Sequence, residues 1–184
     1  GTTENVSQAA IENLPTISRS LTDFARTSPF FVQNTTNANS DSSLSVAGRS
    51  SRYNNIQIDG AVNNDVFGLA DSGTPGGPAG TQPVSIDAIQ ELQLVVSPVD
   101  VRQAGFSGGG LNAITKSGSN SVKGSAFYYF RDQGLVGKGV DDRPIATFND
   151  KQFGFTIGGP LRRNKAFFFT TLDLGRRDTP SGYS

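Results

Sequence analysis

The chain has 184 residues, zero formal net charge from 16 basic and 16 acidic side chains, and no histidine, cysteine, methionine or tryptophan. That length suits one ordinary domain with a core. The composition excludes Ser–His–Asp and Cys–His catalysis, the usual zinc and transition-metal ligands and disulfides, and it offers no basic patch for nucleic acid.

The first expected element is a short helix over residues 7–15, "SQAAIENLP", with Ile11 and Leu14 as an i, i+3 apolar pair and Pro15 as the stop. A second is expected over "SRSLTDFARTSP". There Ser18 or Ser20 is the N-cap, Leu21, Phe24 and Ala25 form the stripe, and Pro29 lies beyond the end. Residues 33–43, "QNTTNANSDSS", read as a polar loop, followed by a strand at "SLSVAG". "NNIQIDG" reads as another strand, with Ile56 and Ile58 on one face, Gln57 on the other, and Asp59-Gly60 as a turn.

Residues 61–83 read as a long irregular loop, of the kind that is usually functional or disordered. "SIDAIQEL" reads as a helical turn capped by Ser85, with Asp87 favourable in its first turn. "LQLVVSP" and "GLNAITK" read as strands. About four strands and three short helices precede residue 122, a small α+β domain.

The glycine run at Gly108, Gly109 and Gly110, followed by Lys116-Ser117, comes near a phosphate-binding loop. A glycine is needed next to the lysine, and here Thr115 resists the required curl; the flanks read as strand and turn instead of strand and helix.

After residue 122 the pattern changes, and much of the chain's 13 phenylalanines lies there. "KGSAFYYFRDQG", "KQFGFTIGGPL" and "KAFFFTTLDLGRRD" are segments of ~10 residues, the length of a tilted strand crossing a bilayer. Phe153, Phe155 and Ile157 share one face opposite Gly154, Thr156 and Gly158; Phe168, Leu172 and Leu174 share one face opposite Phe169, Thr171 and Asp173. A tight polar link, "GGPLRRNKA", and a much longer one, "QGLVGKGVDDRPIATFND", give the short-turn, long-loop asymmetry of an outer-membrane barrel. Periodicity alone fits a soluble antiparallel sheet with one buried face equally well.

Taken in order, "NNIQIDGA", "VSIDAIQELQLVVSP", "AGFSGGGLNAITKSGSN", "VKGSAFYYF" and "GGPLRRNKAFFF" resemble the plug and first barrel strands of a TonB-dependent outer-membrane transporter. "SRYNNIQIDGA" and "PVDVRQAGFSGG" resemble the Oar-like subgroup, and the resemblance covers nearly the whole chain. It implies a mixed-sheet plug with short helices at residues 1–122, then antiparallel strands beginning a transmembrane β-barrel at 123–184. It also implies a structural motif of Asp59, Gly60, Gly108, Gly109, Gly110 and Asn112, with the three glycines as a close-packed turn. The implied activity is energised import without chemistry or cofactor. The implied partners are its own barrel, a TonB-type protein gripping a segment upstream of Gly1, outer-membrane lipid, and an extracellular solute (peptide, glycan or siderophore). The solute contacts are expected at Asn63, Asn64, Asp65, Asp71 and Ser72. A secreted β-rich adhesin is the alternative.

The chain departs from the family's buried charges. Ala47-Gly48 stands for Arg-Gly, with Arg49 displaced by one, and Gln93, Val96 and Ser97 take the places of Glu, Arg and Gly in the E-V-x-R-G-P strand. Losing one partner of a buried set costs ~3–5 kcal/mol, whereas replacing the whole set can be neutral. Arg49 and Glu91 are the candidates for a restored pair.

Overall fold

In a computed structural model the described residues are 2–16, 19–34, 43–77, 81–96, 107–137 and 147–178. Ser18, Ser97 and the stretch 98–106 lie outside them. The chain divides into two compact units, Gly1–Lys116 and Ser117–Ser184.

The first unit is built on a mixed five-stranded sheet in the order β1-β6-β7-β4-β5. These strands are β1 (Thr2–Ser7), β4 (Asn55–Ile58), β5 (Ala61–Val62), β6 (Ile89–Val96) and β7 (Gly109–Thr115). β4 runs parallel to β7, and the other pairings are antiparallel. A separate hairpin pairs β2 (Phe31–Asn34) with β3 (Ser43–Val46). Two short helices, α1 (Gln8–Asn13) and α2 (Leu21–Ala25), complete the unit together with single 3-10 turns at Ser51–Tyr53 and Ile86–Ala88.

Its core joins Val6, Ile11, Phe24, Leu44, Val46, Ile56, Ile89, Leu92, Leu94 and Leu111. Ile89 and Leu92 are both buried although they are an odd number of residues apart. A bulge at Gln90, between the pairs Ile89–Thr115 and Glu91–Ile114, resets the alternation.

α2 begins with a capping box. Ser20 Oγ accepts the Thr22 amide at 3.2 Å, and the Asp23 carboxylate accepts the Ser20 amide at 3.3 Å. Every residue of α2 is buried. Ser20→Ala is expected to cost ~1–2 kcal/mol in urea unfolding of this unit, because a buried amide is stranded; no change in midpoint would contradict the cap.

Several expectations need correcting. The sequence reading gives no element to residues 2–6, where β1 lies, and β2 runs into the stretch 33–43 read as a polar loop. β1 is an edge strand that buries only Val6, so it lacks an apolar signature. β2 extends to Asn34, and β3 begins at Ser43. In α1, Ile11 is 5% exposed but Leu14 is 39% exposed, because the helix ends before it. Ser85 stands before a 3-10 turn but makes no capping hydrogen bond, and Asp87 instead pairs with Arg19. The glycine run is a turn only at its start: Gly108 lies in a bend, and Gly109 and Gly110 are the first residues of β7 itself. Beyond Thr115 the chain continues without a helix, as a phosphate loop would require. Arg49 is exposed and forms no pair with Glu91, whose carboxylate accepts from Gln93 at 3.4 Å.

The second unit is an antiparallel sheet in the order β10-β9-β8, formed by β8 (Lys123–Asp132), β9 (Asn149–Arg162) and β10 (Ala166–Asp178). β9 has 14 residues, longer than the 11-residue segment "KQFGFTIGGPL", and β10 has 13, lying within "KAFFFTTLDLGRRD". The register aligns two apolar rows on one face, Ala126, Phe155 and Leu172, and Tyr128, Phe153 and Leu174, with Gly124, Ile157 and Thr170 as a third row beside them. The opposite face aligns Ser125, Thr156 and Thr171, with Ser125 and Thr156 hydroxyls 2.7 Å apart. There Gln152 donates to both oxygens of Asp173, at 2.9 and 3.0 Å. The eleven steps from Lys151 to Arg162 carry no charge. They span about 36 Å along the strand, or about 28 Å of height at a tilt of ~40°, close to the apolar band of a membrane barrel.

Candidate functional site

The I-D-G segment forms the hinge of the candidate site. Asp59 and Gly60 have φ of 50° and 82°, so they make the tight turn of the β4–β5 hairpin, where Ile58 pairs with Ala61. The Asp59 carboxylate crosses to β7. It accepts the Thr115 amide at 2.8 Å and the Thr115 hydroxyl at 2.7 Å. Asn112 reinforces the crossing: its Oδ1 accepts the Gly60 amide at 3.0 Å, and its Nδ2 donates to Gln93 at 3.3 Å. Three side chains from distant sequence thus pin a turn against the parallel β4–β7 pair.

The glycines serve close approach. A Cβ on Gly109 would lie 2.6 Å from Val46 Cγ1, and one on Gly108 would lie 2.8 Å from the Tyr53 carbonyl oxygen. Gly110 is buried opposite Asn55 and Val95. Asn54, which was not singled out from sequence, holds the same place. It donates to the Leu44 carbonyl at 2.6 Å and accepts the Gly109 amide at 3.1 Å. Its signal was the pair "NN" before a strand, polar residues where a core strand begins.

The loop after Gly60 is ordered by its own polar groups. Asp65 Oδ2 accepts the Ala70 amide at 2.6 Å, its Oδ1 accepts the Phe67 amide at 3.1 Å, and its own amide donates to the Gly73 carbonyl at 2.8 Å. Asn64 ties the loop to β4: it accepts the Ile56 amide at 2.7 Å and donates to Asn55 at 3.2 Å. The buried hydroxyls of Ser72 and Thr74 lie 3.0 Å apart. The Asn63 amide nitrogen is buried without a partner among the described residues, and Asp71 is exposed. Asn64, Asp65 and Ser72 therefore shape the loop, while the exposed Asp71 keeps its carboxylate available.

The tip that this framework holds out is apolar. Val66, Phe67 and Leu69 are 89%, 85% and 76% exposed. Arg52 donates to the Gly68 carbonyl at 3.3 Å, beneath a cavity of about 240 Å³ lined by Arg52, Asn54, Asp65, Val66 and Phe67. The sequence signal was three apolar residues inside an otherwise polar loop.

Asp65 titrates below its ordinary value of 3.8, chiefly through the Ala70 amide, with partial burial opposing and the Phe67, Leu69 and Gly68 amides adding to the shift. A depressed carboxylate stabilises its loop above the unfolded value, and that contribution is lost as pH falls through the folded one. Carbon NMR titration of Asp65 should give a midpoint below the ordinary aspartate range. Asp65→Ala should also raise proteolytic nicking between residues 65 and 70 at neutral pH. A midpoint in the ordinary range, with unchanged proteolysis, would remove Asp65 as the organiser.

Comparison with known proteins places these features. Residues 114–183 match the model of the outer membrane beta barrel domain family. Over 140 residues, 71% of this chain, the sequence is 30% identical to the TonB-dependent transporter Oar of Myxococcus xanthus, of which it covers 12%. The siderophore receptor PirA from Acinetobacter baumannii has the same fold over 94% of this chain and 24% of its own, with a TM-score of 0.70 at 18% identity. The outer membrane transporter YddB from Escherichia coli superposes over 95% of this chain and 26% of its own, with a TM-score of 0.67 at 18% identity. The chain thus spans roughly an eighth of the curated relative and a quarter of each solved structure.

Proposed function

Since the chain belongs to the TonB-dependent transporters of the bacterial outer membrane, we propose that residues 1–122 are a plug closing a barrel whose wall begins at 123–184. Solute binds on the outer side of the plug and passes through the lumen when an energising protein pulls a segment upstream of Gly1. No bond is made or broken and no cofactor takes part. The relatives are transporters and receptors, and the lack of histidine and cysteine suits a binding and gating role.

The observation carrying the solute reading is the stiff loop with an apolar tip. Rigid presentation of Val66, Phe67 and Leu69 costs free energy in water unless something covers them. Asn63 and Asp71 flank the tip in sequence and supply polar contacts, as Arg52 does from below. The fit is an amphipathic solute with an apolar body. One neighbour of known structure, a ferric enterobactin receptor of Pseudomonas aeruginosa, was captured with enterobactin; for this chain the solute class is peptide, glycan or siderophore.

The test expresses the whole protein in cells lacking their own uptake systems and scores labelled ferric siderophores, peptides and oligosaccharides one by one. One class should accumulate, fall to background without the energising protein, and bind about tenfold or more weakly to Phe67→Ser, as expected for loss of a buried aromatic contact. Accumulation of no class, or uptake indifferent to the energising protein, would overturn transport. Uptake unaffected by Phe67→Ser would remove the loop tip from the site.

A further inference from the structure

The two ends of the three-stranded sheet are charged differently. At the open end, cations alternate with acids: Arg177 contacts Asp150 at 3.2 Å, Arg176 contacts Asp178 at 3.3 Å, and Arg131 stands beside Asp132 in sequence. At the turn end, Arg162, Arg163 and Lys165 are exposed and make no ion pair among the described residues. No acidic residue occurs between Asp150 and Asp173, so the turn carries three uncompensated positive charges in a chain of zero net charge.

The turn is also held in one shape. Asn164 adopts φ 59°, and Asn120 clasps it from the preceding linker. The Asn164 amide donates to Asn120 Oδ1 at 2.9 Å, and Asn120 Nδ2 donates back to Asn164 Oδ1 at 2.6 Å. Lys165 closes the turn onto the Arg162 carbonyl at 3.0 Å. Beside it a bulge leaves Leu161 opposite no residue, with 74% of its surface exposed. Short turns of such barrels lie on the periplasmic side. The charge-free span of β9 then sets Arg162 at the height of the headgroups of that leaflet, with Leu161 at the edge of the acyl region.

We propose that the turn Leu161, Arg162, Arg163, Asn164, Lys165 is a docking site for anionic phospholipid headgroups of the periplasmic leaflet. Guanidinium forks and an ammonium group match a phosphodiester, and Leu161 anchors the acyl side. The charge complementarity selects a lipid with net negative charge over a zwitterionic one. This inference rests on the wall-strand reading and goes beyond it.

The test takes the whole protein in mixed micelles with equal amounts of phosphatidylglycerol and phosphatidylcholine and counts retained lipid by native mass spectrometry. Wild type should retain phosphatidylglycerol in preference. Arg163→Gln should weaken that preference by about fivefold, the effect of one basic residue at an anionic surface, and the triple change Arg162→Gln, Arg163→Gln, Lys165→Gln should abolish it. High salt should mimic the triple variant. Equal retention of both lipids by wild type, or an unchanged preference in Arg163→Gln, would overturn the site. Heat-modifiable gel mobility separates the two readings: a protein that forms no barrel refutes the wall, while a barrel without lipid preference refutes only the docking site.

Discussion

Leu172→Arg should block assembly of the protein in the outer membrane, while Thr171→Arg should be tolerated far better. The two positions are adjacent on β10, so local backbone preference, distance from the turn and size of the new side chain are nearly matched. They differ in face. Leu172 aligns with Phe155 and Ala126 in an apolar row; Thr171 aligns with Thr156 and Ser125 in a hydroxyl row that neighbours the Gln152–Asp173 pair. An arginine toward lipid costs up to ~2–4 kcal/mol at mid-depth, and one toward a wet lumen finds water. The Thr171 hydroxyl makes no hydrogen bond among the described residues, so replacing it strands none. Heat-modifiable mobility of membrane-extracted protein reads both variants. Assembly lost only in Thr171→Arg would reverse inside and outside, and equal tolerance of both would take the strand out of the membrane.

Gly109→Val should destabilise the first unit by at least ~1–3 kcal/mol, the cost of overpacking a dense core. The β carbon would meet both methyl groups of Val46, 2.6 and 2.7 Å away, and Val46 sits in a hairpin strand fixed by Asn54. Rotating Val46 relieves little, since its Cβ is also within 2.9 Å. Lys116→Ala is the matched control. Among the described residues the Lys116 side chain pairs with Glu12 at 3.3 Å in a solvent-accessible contact worth ~0–1 kcal/mol, and the Lys116 backbone bond to Ala88 survives the change. Urea unfolding of residues 1–116 measures both. A Gly109→Val midpoint equal to wild type would show that β7 and β3 do not approach as described.

What could be read from the sequence depended on where each residue's physics was local. The Asp59-Gly60 turn, the strand "NIQI" and the alternation of Phe153, Phe155 and Ile157 announce themselves through neighbours one to four residues away. β1 does not. Its residues are mostly polar, and its strand character comes from β6, far along the chain. The glycine run was recognised as a close approach but given the wrong shape. Glycine permits a turn and permits crowding alike, and only the position of Val46 decides. The bulge at Gln90 hid the burial pattern of β6, because it breaks the period on which strand reading relies. In the candidate site, the hydrogen bonds of the polar loop residues are set by partners that the local sequence does not name. Asn64 accepts the Ile56 amide of β4, Asp65 accepts amides of its own loop, and the exposed tip is the apolar part. The charge pattern of the plug was half legible: the absence of the usual charges was visible, but the Arg19–Asp87 pair joins residues 68 apart, which no local reading supplies.

The central claim, that the three aromatic strands form membrane wall with one face to lipid, is tested most directly by single-cysteine scanning of positions 168–174 in the whole protein. This chain contains no cysteine of its own. With any others removed, each variant in native outer membranes is exposed to a water-soluble maleimide. Positions 169, 171 and 173 should label, and positions 168, 170, 172 and 174 should be protected until the membrane is dissolved in a denaturant. Labelling without a two-residue period, or protection of Thr171 and Asp173 with Leu172 and Leu174 labelled, would contradict the assignment.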